Sequence, residues 1–418
     1  MSRTVQVERE NTEVLKQEQD SNREFEVTKL ETIDWNFSSA KTSYSTHGLH
    51  PYPAKYIPHI PRALIEELSH KGEVVADIFC GSGTTLVEAL LLERSAIGID
   101  ANPLACLISE AKTTRFSQGD FELLLAISER ALRLAGQISD PHGTPLFSPD
   151  AFVSTAYRPP IDAVSFWFDP FVVEELAEIL SWCRALPTTT SRNVALVAFS
   201  SIVVTVSKQD SDTRYVRREK KLKVGDVLRR FARSLSDAAR RVDEFTRQGD
   251  PALSCRLLNT DLLTQPNIGA VDLVVCSPPY PNAYSYHLYH MTRMVWLGMD
   301  QPKFKREEIG SHRKYSRKGP NGANVDTFRS EMVTIFSWLR HHLRQNRYAC
   351  FVVGDSTLKG ETINNAELIS EVAALQGFHE VSRIERRMQD KKKAFNPVIG
   401  KIKHEQIVVM KNIGGASE

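Results

Sequence analysis

Apolar residues follow two rhythms along this chain. Short, mostly apolar runs occur at 74–79, 96–100, 255–258, 272–276, 349–353 and 406–410. Runs that short and that apolar predict strands covered on both faces, as in a parallel sheet. Spacings of three and four residues predict helices over 84–93, 121–137, 172–184, 194–206 and 227–247. The order strand, helix, strand across 74–100 is a βαβ unit. Four of the helices crowd into one stretch before residue 250, which is too long for an ordinary strand-to-helix connection.

The simplest architecture is an α/β fold, a doubly wound, mostly parallel sheet interrupted by a large, mainly helical insertion. Residues 1–25 are polar with few apolar anchors and are expected to form a flexible tail. Residues 26–112 then make the first half of the sheet, 113–250 the insertion and 251–418 the second half. Prolines 51, 53 and 58 keep 42–58 out of a helix. That segment is expected to be an ordered loop entering a helix near Pro61.

Composition narrows the class. With 41% hydrophobic and 25% charged residues, the 418-residue chain matches a soluble globular protein. Its six cysteines form no CxxC pair, which argues against a structural metal or disulfide framework and fits a reducing cytoplasm. Neither a long uncharged apolar run nor a secretion signal is evident, so neither export nor a membrane is expected. Net charge is only +2, yet 207–247 holds 13 Lys/Arg against 7 Asp/Glu. Arg214, Arg217, Arg218 and Lys220 lie in that excess. A second basic run includes Arg313, Lys314 and Arg317, and a third is Lys391-Lys392-Lys393. Such runs are either solvated faces or phosphate-contacting surfaces.

Two motifs sit at predicted strand ends. The first, Asp77-Ile78-Phe79-Cys80-Gly81-Ser82-Gly83-Thr84, is a glycine turn that lets backbone approach a ligand closely before a helix begins. Asp100 closes the next strand, where an acid commonly accepts from ribose hydroxyls, and Asn102 follows it. Nicotinamide enzymes share this arrangement, but Leu86 stands where their third glycine would be. Asp261, after the strand at 255–258, is either another ligand acceptor or a helix cap. The second motif is Ser277-Pro278-Pro279-Tyr280. It offers a hydroxyl, a rigid carbonyl and a flat ring, a set suited to gripping a planar base by its exocyclic amine. Tyr284, Tyr286 and Tyr289 follow, as base-pocket lining or as plain core.

Together the two motifs resemble the S-adenosylmethionine-dependent DNA amino-methyltransferases, specifically the N4-cytosine type. The resemblance covers about 42–112 and 250–412 and implies a Rossmann-like methyltransferase sheet ending in an antiparallel strand. It implies that S-adenosylmethionine is held by Asp77, Phe79, Cys80, Gly81, Gly83, Thr84, Asp100, Asn102 and Asp261. The segment His50-Pro51-Tyr52-Pro53-Ala54-Lys55 resembles the one lining the methionine end of the cofactor, with Pro53 and Lys55 as contacts. Ser277, Pro278, Pro279 and Tyr280 would be catalytic, with no metal. The resemblance further implies double-stranded DNA as partner, a cytosine flipped out of the helix, and a cognate restriction endonuclease or none. On this reading Arg214, Arg217, Arg218, Lys220, Arg313, Lys314 and Arg317 would contact DNA. Serine at the first motif position is the N4-cytosine letter. An N6-adenine enzyme of the same fold, or a non-catalytic DNA-binding relative, are the alternatives.

Overall fold

A computed structural model describes residues 27–139, 152–281, 284–316, 322–358, 360–387 and 404–414. The expected tail, Arg317 and Lys391–Lys393 lie outside the described residues. Seven strands form the main sheet: β1 Val74–Asp77, β2 Ser95–Asp100, β3 Cys255–Asn259, β4 Val271–Cys276, β5 Leu343–Gly354, β6 Phe378–Arg387 and β7 His404–Asn412. Their spatial order is β6-β7-β5-β4-β1-β2-β3. Strands β3, β2, β1, β4 and β5 are parallel. Strand β7 slots antiparallel between β5 and β6.

The chain therefore starts at β1, builds outward through β2 and β3, and returns to the other side of β1 with β4. Strand order reverses between β1 and β4. In open α/β sheets the crevice at such a reversal, beyond the carboxyl ends of the strands, is where ligands bind.

Helices α1 His59–Leu68, α2 Thr84–Leu91 and α3 Pro103–Thr113 belong to the first half. The insertion supplies α4 Gln118–Ser139, α5 Pro170–Arg184, α6 Thr189–Val206 and α7 Asp226–Gln248. The second half adds α8 Met291–Leu297, α9 Val325–His342 and α10 Asn365–Leu375. Side-chain alternation divides each strand between two cores. Val75 and Val275 pack with Leu64, Leu86 and Leu90 on one face. Ala76 and Val274 pack with Phe328, Phe336 and Ile369 on the other.

A third core unites α4 to α7, with Leu124, Leu176, Ala198, Phe231 and Leu235 at its centre, and reaches α3 through Leu104 and Ile108. Helix α7 buries Val227, Leu228, Phe231, Leu235, Ala239 and Val242 while Arg229, Arg230, Arg233 and Arg240 face out. This is the spacing a helix on a core adopts. Helix α6 is long and apolar enough to cross a membrane by composition, yet most of it is buried against α3, α5 and α7.

Three elements were not expected from the apolar pattern. Residues Gln209–Ser211 and Arg214–Arg217 pair as a two-stranded antiparallel ribbon between α6 and α7. A short hairpin pairs Ser356–Leu358 with Glu361–Ile363. Strand β6 lies at the sheet edge, where charged residues such as Glu380, Arg383, Glu385 and Arg387 guard against further pairing.

Candidate active site

Strand β1 ends at Asp77 and the chain turns sharply over Phe79–Gly83. Gly81 and Gly83 adopt φ of +49° and +74°, the left-handed region. A Cβ on Gly83 would stand 2.7 Å from the Ser109 hydroxyl of α3. Helix and turn are thus in van der Waals contact, and only glycine fits. The turn is fixed from three sides. Asp100 Oδ2 accepts from Gly81 N–H at 2.8 Å, Ser109 Oγ donates to the Gly81 carbonyl at 2.9 Å, and Lys112 Nζ donates to the Ser82 carbonyl at 2.8 Å. Lys112 is fully buried and its ammonium is held well below the ordinary lysine range by that burial.

Asp100 also accepts from Asn102 N–H at 2.8 Å, and burial pushes its carboxyl up to about 6. Asn102 caps α3 by accepting from Leu104 N–H and donates to the Tyr52 hydroxyl at 3.3 Å. Asp77 is 1% exposed, and its oxygens accept from Phe79 N–H at 3.1 Å, Thr85 Oγ1 at 2.7 Å and the Tyr56 hydroxyl at 3.3 Å. It braces the turn from below, with its carboxyl pushed up to about 7 by burial. Cys80 is buried beside Gly98 of β2, and Thr84, also buried, opens α2.

Strand β4 is buried at every position and delivers Ser277 to the same sheet edge. In the β1–β4 register, Ala76 pairs with Val274. Carried forward, the two strands leave the sheet one residue apart, at Asp77 and Cys276. The Thr85 hydroxyl joins them by donating to the Val275 carbonyl at 3.2 Å as well as to Asp77. Pro278 is buried, whereas Ser277, Pro279 and Tyr280 are half-buried, and Phe79 and Tyr280 pack on the same core. Both motifs therefore open onto one crevice.

Two residues absent from the sequence reading secure the second motif. Gly310, at φ +72°, lies so close that a Cβ there would meet the Tyr280 carbonyl at 2.8 Å. Glu308 accepts from Tyr286 N–H at 2.6 Å and pairs with His287 Nδ1 at 2.6 Å. A row of rings crosses the crevice. Tyr284 meets Tyr286 and Tyr289 at centroid distances of 6.1 and 5.6 Å, and Tyr286 stacks on Tyr52 at 5.8 Å. Tyr52 in turn covers Gly81, 3.5 Å from where its Cβ would be.

Pro53 is buried and Lys55 exposed. Lys55 Nζ donates to the His47 carbonyl at 3.0 Å and lines a small cleft of about 30 Å³ with Tyr56 and Thr84 at the start of α2. Asp261 caps the short turn Leu262–Thr264 by accepting from Leu263 N–H at 2.9 Å, just beyond β3, whose Asn259 pairs with Asp100. A wider cleft of about 390 Å³, lined by Glu110, Arg115, Cys255 and Leu257, shares no residue with either motif.

Among the expected basic contacts, Arg214, Arg217 and Arg218 are exposed on and beside the ribbon. Lys220 instead turns inward and donates to the Val204 carbonyl at 2.6 Å. Arg313 is exposed beside Tyr215, and Lys314 pairs with Glu331 at 2.6 Å.

Chemically, the crevice offers a glycine-lined backbone cradle with an acid at one end and a hydroxyl, a carbonyl and aromatic faces at the other. A family model described as DNA methylase, of the N6/N4 group, matches residues 3–111. The type II methyltransferase M.MjaII of Methanocaldococcus jannaschii is 23% identical over 402 residues, covering 73% of this chain and 74% of its own. M.MvaI of Kocuria varians is 25% identical over 280 residues, covering 63% of this chain, which spans only 60% of that relative's length. Among solved structures, the rRNA methyltransferase AviRa of Streptomyces viridochromogenes aligns over 87% of this chain and 89% of its own, at 13% identity and a TM-score of 0.33.

Proposed function

We propose that the chain is an S-adenosylmethionine-dependent DNA amino-methyltransferase that methylates the N4 amine of cytosine in DNA. The observation that carries this reading is the meeting of the Gly81 turn and Ser277-Pro278-Pro279-Tyr280 at one switch-point crevice. Serine in the first motif position favours cytosine over adenine.

The first half of the crevice fits the cofactor on its own terms. Gly81 leaves its backbone open beneath the Tyr52 ring, and among the described residues the buried Ser82 hydroxyl has no hydrogen-bond partner. Asp100 is positioned to accept from ribose hydroxyls, Asp261 from the adenine amine, and Lys55 to meet a carboxylate at the start of α2. Phe79, Cys80 and Asn102 shape the walls, while Asp77 holds the turn that carries them. When bound, S-adenosylmethionine supplies a sulfonium-activated methyl group.

The second half prepares the amine. Its lone pair is conjugated into the pyrimidine ring and is a poor nucleophile. Accepting the amino hydrogens at the Pro278 carbonyl and Ser277 Oγ draws the nitrogen toward tetrahedral geometry and frees that lone pair. Tyr280, its hydroxyl kept protonated by burial, holds the base by its face. The work is positioning and electrostatics, both of which such a rigid crevice can supply. The departing proton passes from the amine through Ser277 to water.

A base inside a duplex cannot reach such a crevice, so the target cytosine is flipped out. The helical insertion and its arginines hold the duplex, and the enzyme works in the cytoplasm, either within a type II restriction–modification system beside a cognate endonuclease or alone. Expression in a host lacking DNA methylation, followed by long-read detection of modified bases, tests the reading. The expected result is N4-methylcytosine at one short motif. Modified adenine at that motif, or an unmodified genome, would overturn it.

A further inference from the structure

The 209–217 ribbon stands beside the crevice and is not needed to build it. All four residues of its second strand are exposed, and Val216 leaves 56% of its surface in solvent. The two faces of the ribbon differ. Tyr215 lies against Tyr289 at 5.8 Å and the Arg217 guanidinium sits 5.2 Å from the Phe166 ring, so both face the body. Strand alternation then directs Arg214 and Val216 away from it. An aliphatic residue presented outward between cations is poorly explained by solubility or by phosphate binding.

The ribbon is also rigidly tied to the catalytic half. Gln209 is fully buried, donates to the Tyr289 carbonyl at 3.2 Å and accepts from Thr292 Oγ1 at 3.0 Å. At the turn, Asp212 pairs with the fully buried Arg293, which also donates to the Ser200 carbonyl at 3.0 Å. Asp210 pairs with Arg214 at 3.4 Å and Arg218 at 3.3 Å, fixing where their guanidinium groups lie. Through Tyr289, Tyr284 and Tyr286 the ribbon joins the ring row that ends on Gly81.

Resting on the DNA-methylating reading above, we propose that this ribbon enters the major groove beside the target base and reads its sequence. A two-stranded ribbon fits a groove about 12 Å wide. Arg214 is a fork donor suited to the N7 and O6 acceptors of guanine, and Val216 an apolar surface suited to the methyl of thymine. The pairing with Asp210 orients the fork, and the anchors at Gln209 and Asp212 hold it in register with the crevice.

The test compares methyl transfer to duplexes carrying the target site and to each single-base variant of it. For Arg214→Lys, Arg214→Ala and Val216→Ala, the preference for the true base at one position is expected to fall about tenfold or more. Melting temperature and cofactor affinity should be unchanged, because these side chains are exposed. Arg214→Lys keeps the charge but not the fork, so its loss of discrimination separates base reading from phosphate attraction. A uniform loss across all duplexes, or unaltered discrimination, overturns the ribbon assignment while leaving methyl transfer intact. Wild-type protein that methylates no DNA overturns the functional reading itself.

Discussion

In the proposed cofactor site one carboxylate, Asp100, serves both fold and ligand. It accepts from Gly81 and Asn102 N–H groups and still faces the cradle, and burial pushes its carboxyl up to about 6. The sign follows from which form accepts. Above that pH the ionised group accepts from a ligand hydroxyl, and as pH falls through it the protonated form loses an acceptor. S-adenosylmethionine affinity, measured by calorimetry, is therefore expected to weaken below pH 6 by up to about tenfold per unit. Asp100→Asn should bind more weakly and without that dependence. A wild-type affinity flat from pH 7 to pH 5 would remove Asp100 from the cofactor site. The residues legible in sequence, Gly81, Gly83, Asp100 and Ser277, stand beside strand ends, where local pattern speaks. Ser109, Lys112, Glu308 and Gly310 act across the fold, so no local pattern marks them. Asp77 was expected among the cofactor contacts. Its carboxylate is buried and accepts three hydrogen bonds under the turn, a burial that the motif does not reveal.

At the scale of elements, strand–loop contacts decide how well the second motif is held. Gly310 packs its backbone on Pro279 and Tyr280 at a positive φ, so any side chain both strains the backbone and pushes the motif. Gly310→Ala is expected to cost about 1–3 kcal/mol of stability by denaturant titration. It should also lower kcat for methyl transfer with little change in cofactor affinity. Unchanged kcat would mean that the 308–311 loop does not position Tyr280. Elements with strong apolar runs were legible: the parallel strands and α4 to α7 fall within a few residues of their expected places. Strand β6 was not, since its Phe378-His379-Glu380-Val381-Ser382-Arg383 sequence has few apolar positions and an exposed edge needs few. The ribbon was missed for a similar reason. Its strands are short and polar, and pairing rather than hydrophobic burial makes it a ribbon.

For the whole molecule, the order of strands does what neither motif does alone. The two motifs are nearly two hundred residues apart, and only the return of the chain to the far side of β1 brings them together. The apolar runs announced a parallel sheet, but strand order is set by which crossover packs where, which periodicity does not encode. The insertion between β2 and β3 adds a lobe with its own core, docked on α3 and carrying the ribbon toward the crevice. Sheet, lobe and ribbon thus meet around the proposed site.

The most direct test follows a methyl group through that site. Purified protein is incubated with duplex DNA and S-adenosylmethionine carrying a deuterated methyl, and the digested nucleosides are resolved by mass spectrometry. Wild-type protein is expected to yield deuterated N4-methylcytosine. With Ser277→Ala the yield should fall on the order of a hundredfold, at unchanged cofactor affinity. Label appearing on adenine, on cytosine C5 or on no nucleoside, or full transfer by Ser277→Ala, would contradict the proposal.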